Sequence, residues 1–287
     1  MASPLAYLNG QWLPLAEARV PVLDRGFLFA DGVYEVVAAY GGRMLRLDAH
    51  LDRLDRSLAA LRIANPHSRG QWRELCARLV REFGSGDSMV YLQVTRGADD
   101  KRLHYFPPER VKPTVIGWCQ PLPVIDAAMR ARGVSAMTAP DLRWGRCDIK
   151  SIALLPNLLA AQRAREEQHN EAILLREGRV TEGTSSNIYL VVDGRVVTAP
   201  KGPEILGGIT RDLLLELLAA EGIAVEERSP LASELNRAEE LWLTSSTREV
   251  LAITRLDGKP VGCGRPGPLY ARVFAAFQDC KKRELGA

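Results

Sequence analysis

The chain has 287 residues, 46% hydrophobic and 25% charged, with a formal net charge of +3. That length holds a large core and predicts two domains, while so small and evenly spread a charge argues against a nucleic-acid surface. No stretch approaches the ~18 apolar residues of a membrane span, and five scattered cysteines without a CxxC pair argue against zinc and against a disulfide framework. The N-terminal stretch Met1-Ala2-Ser3-Pro4-Leu5-Ala6-Tyr7 lacks the charged start and apolar core of a signal peptide. A soluble, cytoplasmic protein in a reducing compartment is the expectation.

Along the chain, Tyr7-Leu8 and Gln11-Trp12-Leu13 flank the turn pair Asn9-Gly10 and predict a tight hairpin. Gly32–Tyr40 is a β-branched strand closed by Gly41-Gly42 and returned by Arg43 to Leu47. Asp48 is expected to cap a helix whose Leu51, Leu54, Leu58 and Leu61 share one face. A second helix is predicted around Gln71 to Phe83, and strands at Met89–Thr95 and Val111–Cys119 complete a first α+β unit. Two prolines in Gln120-Pro121-Leu122-Pro123 stop helix and sheet alike, which marks a linker. Strands at Gly133–Met137 and Glu171–Leu175 follow, around a helix near Pro156–Gln168. Beyond them come a hairpin turning at Asp193-Gly194 and a helix from Ile209 with the stripe Leu213, Leu214, Leu217 and Leu218. Strands at Leu241–Ser245 and Val250–Arg255 precede a last helix from about Tyr270 to Lys282. Strands and helices mix without strict βαβ alternation, so the fold class is α+β in two domains: residues 1–119, a linker at 120–125, and residues 126–287, which carry Lys150.

Basic charge is carried overwhelmingly by arginine, and the few lysines lie in polar or turn-like surroundings except Lys150, which opens onto the apolar run after Ser151. A cation beside buried surface costs several kcal/mol unless paired or neutralised. A desolvated lysine, unlike an arginine, can lose its proton and form a Schiff base with an aldehyde. Taken alone, it reads more readily as a lysine snorkelling from a strand end. Three further segments bear on it. Thr181-Glu182-Gly183-Thr184-Ser185-Ser186-Asn187-Ile188 offers short hydroxyls, a glycine and one carboxylate at the mouth of an apolar strand. Gly207-Gly208-Ile209-Thr210 opens a helix, where free N–H groups and the dipole favour an anion. Thr244-Ser245-Ser246-Thr247-Arg248-Glu249 clusters hydroxyls at a strand end. Each is also what an ordinary turn looks like. Together, an aldehyde-reactive lysine, an anion cradle and a lone carboxylate are what pyridoxal 5′-phosphate requires.

These segments, with Asp24-Arg25-Gly26-Phe27-Leu28-Phe29-Ala30-Asp31-Gly32-Val33-Tyr34-Glu35 and His50-Leu51-Asp52-Arg53-Leu54, come in the order seen in fold type IV pyridoxal-phosphate enzymes. The chain resembles that family over nearly its whole length. The family includes D-amino-acid and branched-chain aminotransferases and aminodeoxychorismate lyase. The resemblance implies a homodimer of two-domain subunits with the cofactor at the domain junction and the partner subunit completing the active site. It implies that Lys150 bonds the cofactor and shuttles the proton, and that Glu182 pairs the pyridinium. Arg53, Ile209 and Thr210, with Ser246 or Thr247, are implied phosphate ligands, and Ser186 and Leu206 further cofactor contacts.

Arg102 and His104, two apart on an extended segment, offer donors fit for a carboxylate, the arginine as a fork. D-amino-acid aminotransferases carry this Arg-x-His pattern, with a tyrosine at the place of Tyr34, as the trap for the substrate α-carboxylate. Trp144–Lys150 also looks like that subgroup. The implied activity is transfer of the amino group of D-alanine or another D-amino acid to 2-oxoglutarate or pyruvate. A branched-chain L-amino-acid or (R)-amine transaminase of the same fold is the alternative; a cofactor-binding protein without catalysis is the rival from another class. Gly207, where the subgroup often has a bulkier residue, and the charge of Arg248 depart from the pattern and bear on the width and polarity of the side-chain pocket.

Overall fold

A computed structural model describes residues 4–286; Met1-Ala2-Ser3 of the N-terminal stretch and Ala287 lie outside the described residues. The chain separates into two compact units, one running to Leu122 and including Ile149–Ala153, the other holding Pro123–Asp148 and everything from Leu154 on.

The first unit begins with strands β1 (Leu5–Leu8) and β2 (Gln11–Pro14), joined by the expected Asn9-Gly10 turn with both residues at positive φ. A short helix α1 (Arg25–Phe29) is capped by the Asp24 side chain. Then come β3 (Gly32–Tyr40), β4 (Arg43–Met44), helices α2 (Leu47–Ala60) and α3 (Arg69–Phe83), and strands β5 (Ser88–Thr95) and β6 (Thr114–Pro121). The sheet is ordered β2-β1-β6-β5-β3-β4. Its period-2 alternation puts Val33, Val37, Val90, Leu92 and Val94 in one core with Leu51, Leu54 and Leu58 of α2 and Trp72, Leu75 and Leu79 of α3. Tyr34, Tyr91 and Trp118, out of phase with that core, stack in a row across three strands, with centroids 5.7 and 4.2 Å apart.

Asp48 does not cap α2. The helix starts one residue earlier, after Arg46 in the left-handed region, and Asp48 sits in the first turn and pairs with Arg73. That place still suits an acid, because the helix dipole is positive there. The start of α3 has the capping box that fixes it, with Ser68 and Gln71 exchanging bonds. Strand β6 begins at Thr114 rather than Val111, since Pro113 just before it has no N–H to give the ladder.

Residues 149–153 cluster with the first unit, whereas the sequence assigned Lys150 to the second. The backbone gives the reason. β4 covers only Ala39 and Tyr40 of β3, so the opposite end of that strand has an open edge. The Lys150 segment takes it: the Tyr34 N–H donates to the Lys150 carbonyl at 3.0 Å, Ile152 N–H to the Gly32 carbonyl at 3.1 Å, and Ser151 bridges Val33. Ile149 joins the core.

The second unit contains α4 (Ala127–Arg132), β7 (Val134–Pro140), α5 (Leu155–Glu166), β8 (Glu171–Arg176), β9 (Arg179–Gly183), β10 (Asn187–Val192) and β11 (Arg195–Thr198). It continues with α6 (Ile209–Ala220), β12 (Val225–Glu227), β13 (Glu240–Ser245), β14 (Glu249–Leu256), β15 (Lys259–Pro260) and α7 (Pro268–Leu285). The mixed sheet is ordered β12-β11-β10-β13-β14-β7-β8-β9, with β15 on β14. The Asp193-Gly194 hairpin forms as expected between β10 and β11. Both units are α+β. Among the described residues no helix is long and apolar enough to cross a membrane.

Candidate active site

In the first unit, the Lys150 ammonium lies 4.1 Å from the centroid of the Tyr34 ring, and its backbone N–H donates to the Ser57 hydroxyl of α2 at 3.2 Å. A cation over an aromatic face is held by the ring quadrupole, which fixes where the nitrogen sits. On the core face of the same strand, Glu35 is wholly buried and grips Arg53: its oxygens accept from Arg53 Nε and Nη2, each at 2.8 Å, and from His50 Nδ1 at 2.8 Å. Burial pushes the Glu35 carboxyl up, but the Arg53 guanidinium and His50 outweigh it and hold it far below the usual range. For His50, burial dominates and lowers its pKa. Arg53 is therefore held by Glu35, which His50 holds in turn.

In the second unit, Glu182 on β9 is the centre. Oε1 accepts from Arg143 Nη1, and Oε2 from the Leu206 N–H at 2.9 Å and Asn187 Nδ2 at 3.2 Å. Burial raises its pKa to about 7 despite Arg143. Arg143 is itself anchored on Asp141, whose carboxylate also accepts from Thr181. Asn187 Nδ2 donates to the Leu206 carbonyl at 2.8 Å, and its Oδ1 lies 2.1 Å from where a Cβ on Gly208 would be. Gly208 caps α6 without any side-chain bond, and Ile209 and Thr210 form the buried first turn. A carboxylate and a helix start thus rest on one asparagine.

Ser246 and Thr247 lie half-buried in the turn between β13 and β14. Arg248 turns away from these hydroxyls to Glu171, which is buried and also accepts from Thr184 and Ser186. Its charge is neutralised there, and the Ser186 hydroxyl is committed to the same carboxylate. A side chain at Gly207 would only approach the aliphatic part of Lys201, at 3.5 Å and beyond.

Arg102 and His104 are exposed on the segment between β5 and β6 and flank the Phe29 ring, at 4.8 Å (Arg102 Cζ) and 5.6 Å (His104 ring). No bond between them and Tyr34 or Lys150 is recorded among the described residues. Sequence reasoning did not single out Arg143, Asp141, Glu171 or the Glu35–His50 support of Arg53. Asn187, Glu35 and His50 stood inside the quoted motifs, but their partners lie on other strands and helices.

The residues fit pyridoxal 5′-phosphate. A wholly buried carboxylate, a glycine-opened helix start that a Cβ would obstruct, and half-buried hydroxyls are an acceptor and a set of anion donors. No cluster of metal-binding side chains is present among the described residues.

The chain is similar to known proteins over most of its length. Residues 32–256 match the family model described as amino-transferase class IV. The chain is 40% identical over 271 residues to a D-alanine aminotransferase of Bacillus licheniformis, covering 94% of this chain and 95% of that protein. Among solved structures, a branched-chain amino acid aminotransferase from Escherichia coli superimposes with a TM-score of 0.85 at 25% identity, covering 96% of this chain and 93% of that one. A second branched-chain amino acid aminotransferase, from T.th. and in complex with N-(5′-phosphopyridoxyl)-L-glutamate, does so with a TM-score of 0.85 at 26% identity, covering 97% and 94%.

Proposed function

The chain belongs to the class IV aminotransferase family, and within it we propose a D-amino-acid transaminase that uses pyridoxal 5′-phosphate. It moves the amino group of D-alanine or another D-amino acid to a 2-oxo acid such as 2-oxoglutarate or pyruvate. The observation that carries this reading is near-full-length similarity to D-alanine aminotransferases, 40% identical in one case, in a chain that also has Arg102, His104 and Tyr34.

When bound, pyridoxal phosphate supplies an electron sink for the bond between Cα and its proton. Lys150 would hold the cofactor and, as a free amine, would take the Cα proton on Nζ and deliver it to the cofactor's C4′ carbon. The Tyr34 ring, 4.1 Å from that nitrogen, aims it. Glu182, a buried carboxylate, would pair the protonated pyridine nitrogen. Arg53, pre-set by Glu35 and His50, binds phosphate with the α6 start at Ile209 and Thr210 and the hydroxyls of Ser246 and Thr247. Ser186 and the Leu206 backbone border the ring site.

Arg102 and His104 bind the α-carboxylate. Their exposure on an outlying loop supports the arrangement in which the loop serves the partner subunit of a homodimer. Leu155, Leu158 and Leu159, one stripe on α5 that remains 62–67% exposed, support a covered face there. All five cysteines are free, which supports a cytoplasmic setting.

The branched-chain L-amino-acid reading is favoured by the likeness to solved branched-chain aminotransferase structures, from E. coli and T.th.. Initial rates with D-alanine, L-leucine and (R)-1-phenylethylamine, each with 2-oxoglutarate, separate the readings. D-Alanine is expected to be the fastest donor; a clear preference for L-leucine or for the amine would refute the proposal.

A further inference from the structure

Residues 96–113, between β5 and β6, carry Arg102 and His104 and contain neither helix nor strand. A segment this long and irregular has no ladder of its own to fix its side chains. Its order comes from elsewhere. Thr95 and Thr114, paired in register, are its two feet. One oxygen of the buried Asp24 carboxylate accepts from both their hydroxyls, at 3.0 and 2.7 Å, while the other caps α1 at the Gly26 N–H, 2.8 Å away. Gly26 permits this approach, because a Cβ there would lie 2.3 Å from Thr95 Cγ2.

The next residue reaches the tip. The Arg25 N–H donates to the Gly97 carbonyl at 2.9 Å, and Arg25 Nη1 to the carbonyls of Leu103 and Tyr105 at 2.7 and 3.3 Å. Those two carbonyls stand on either side of His104. Arg25 is itself held through Nε by Asp31 at 2.8 Å, and Asp31 also takes Arg96, the first residue of the loop. The Phe29 ring, at the end of the same short helix, is the surface against which Arg102 and His104 lie.

We infer that Asp24, Arg25 and Phe29 form a clasp for the Arg102–His104 loop and are positioning residues that set the enzyme's affinity for the substrate carboxylate. This rests on the reading of Arg102 and His104 as the carboxylate trap. Arg25 touches neither substrate nor cofactor; it fixes the backbone from which His104 projects. An arginine is suited to this because its fork bonds two carbonyls and a carboxylate at once, which a lysine cannot match.

The test compares Arg25→Gln, Arg25→Lys, Phe29→Leu and Arg102→Ala as holoenzymes. KM and kcat for D-alanine are read together with cofactor absorbance and the rate at which trypsin cuts after Lys101 and Arg102. Freeing the loop is expected to raise KM about tenfold in Arg25→Gln, with kcat within about twofold. Cofactor absorbance should be unchanged and trypsin cleavage faster. Arg25→Lys should recover part of the loss, and Phe29→Leu should raise KM without unfolding α1. If Arg102→Ala raises KM while Arg25→Gln and Phe29→Leu match the parent in KM and cleavage, the clasp is refuted and the trap stands. If Arg25→Gln loses kcat, cofactor and thermal stability together with no selective rise in KM, its role is only structural and the inference fails. If Arg102→Ala leaves KM unchanged, the trap itself is wrong and the clasp has no substrate to serve.

Discussion

The proposed chemistry turns on two single groups, an amine over a tyrosine ring and a buried carboxylate. Lys150→Ala is expected to abolish the pyridoxyl label fixed by borohydride reduction and to lower turnover at least about a thousandfold, since it removes nucleophile and base together. A label on another lysine, seen by peptide mass spectrometry, would disprove the assignment. Arg102→Ala is expected to raise KM for D-alanine far more than it weakens cofactor binding, and steady-state kinetics beside a cofactor titration would decide it. Both proposals come from the sequence, Lys150 because a cation abuts an apolar run in a chain that otherwise uses arginine, and Arg102 because a histidine follows two places on. Arg143 and Asp141 were not legible. Their significance comes from Glu182 and Thr181, some forty positions away and brought close only by pairing in the second sheet. The same holds for Glu35, whose hold on Arg53 joins a strand to a helix.

Turns and helix starts decide where the donors end up. Ser246 and Thr247 occupy a turn pinned from both sides. Arg248 is tied to Glu171, and Glu249, at φ +57°, is buried with Arg130, Gln278 and Lys281 around its carboxylate. The sequence showed hydroxyls there and an unexplained charge; the pairing of that charge with Glu171 explains it. Hairpins and helices with a strong period were readable, since turn chemistry and spacing are local. The start of α2 was misplaced because the chain enters the helix through Arg46 in the left-handed region, without a side-chain cap, which no pattern announces. At α6, Gly208→Ala is expected to displace Asn187, whose Oδ1 lies 2.1 Å from the added methyl group, and through it Glu182. A loss of about 1–3 kcal/mol in stability and weaker binding of inorganic phosphate should follow. Unchanged melting and unchanged phosphate titration would show that Asn187 moves freely and carries nothing.

For the molecule as a whole, assembly and pH response follow from what each unit buries or leaves uncovered. Leu158→Glu, on the exposed stripe of α5, is expected to shift the proposed dimer to monomer in sedimentation at micromolar concentration; an unchanged sedimentation coefficient would refute a contact there. The pH response has two opposing parts. Glu35, Glu171 and Asp31 are held below their ordinary pKa: burial pushes each up, but the arginines beside them, with His50 at Glu35 and the Thr184 and Ser186 hydroxyls at Glu171, outweigh it. Their contribution is present above the unfolded carboxylate range and is lost as pH falls through it. Glu182 runs the other way. Its folded pKa of about 7 exceeds the ordinary 4.5, so the cofactor-free fold loses stability from this group as pH rises from 4.5 through 7. The full difference is on the order of 3 kcal/mol. Glu182→Gln keeps an acceptor for Arg143 but cannot ionise, so the melting temperature of the cofactor-free variant should gain on the parent by several degrees between those limits. Adding pyridoxal phosphate should then raise the parent's melting temperature more than the variant's, because only the carboxylate gains a charged partner. A variant-minus-parent difference that stays flat with pH would mean that Glu182 remains ionised beside Arg143 throughout and that burial does not raise its pKa.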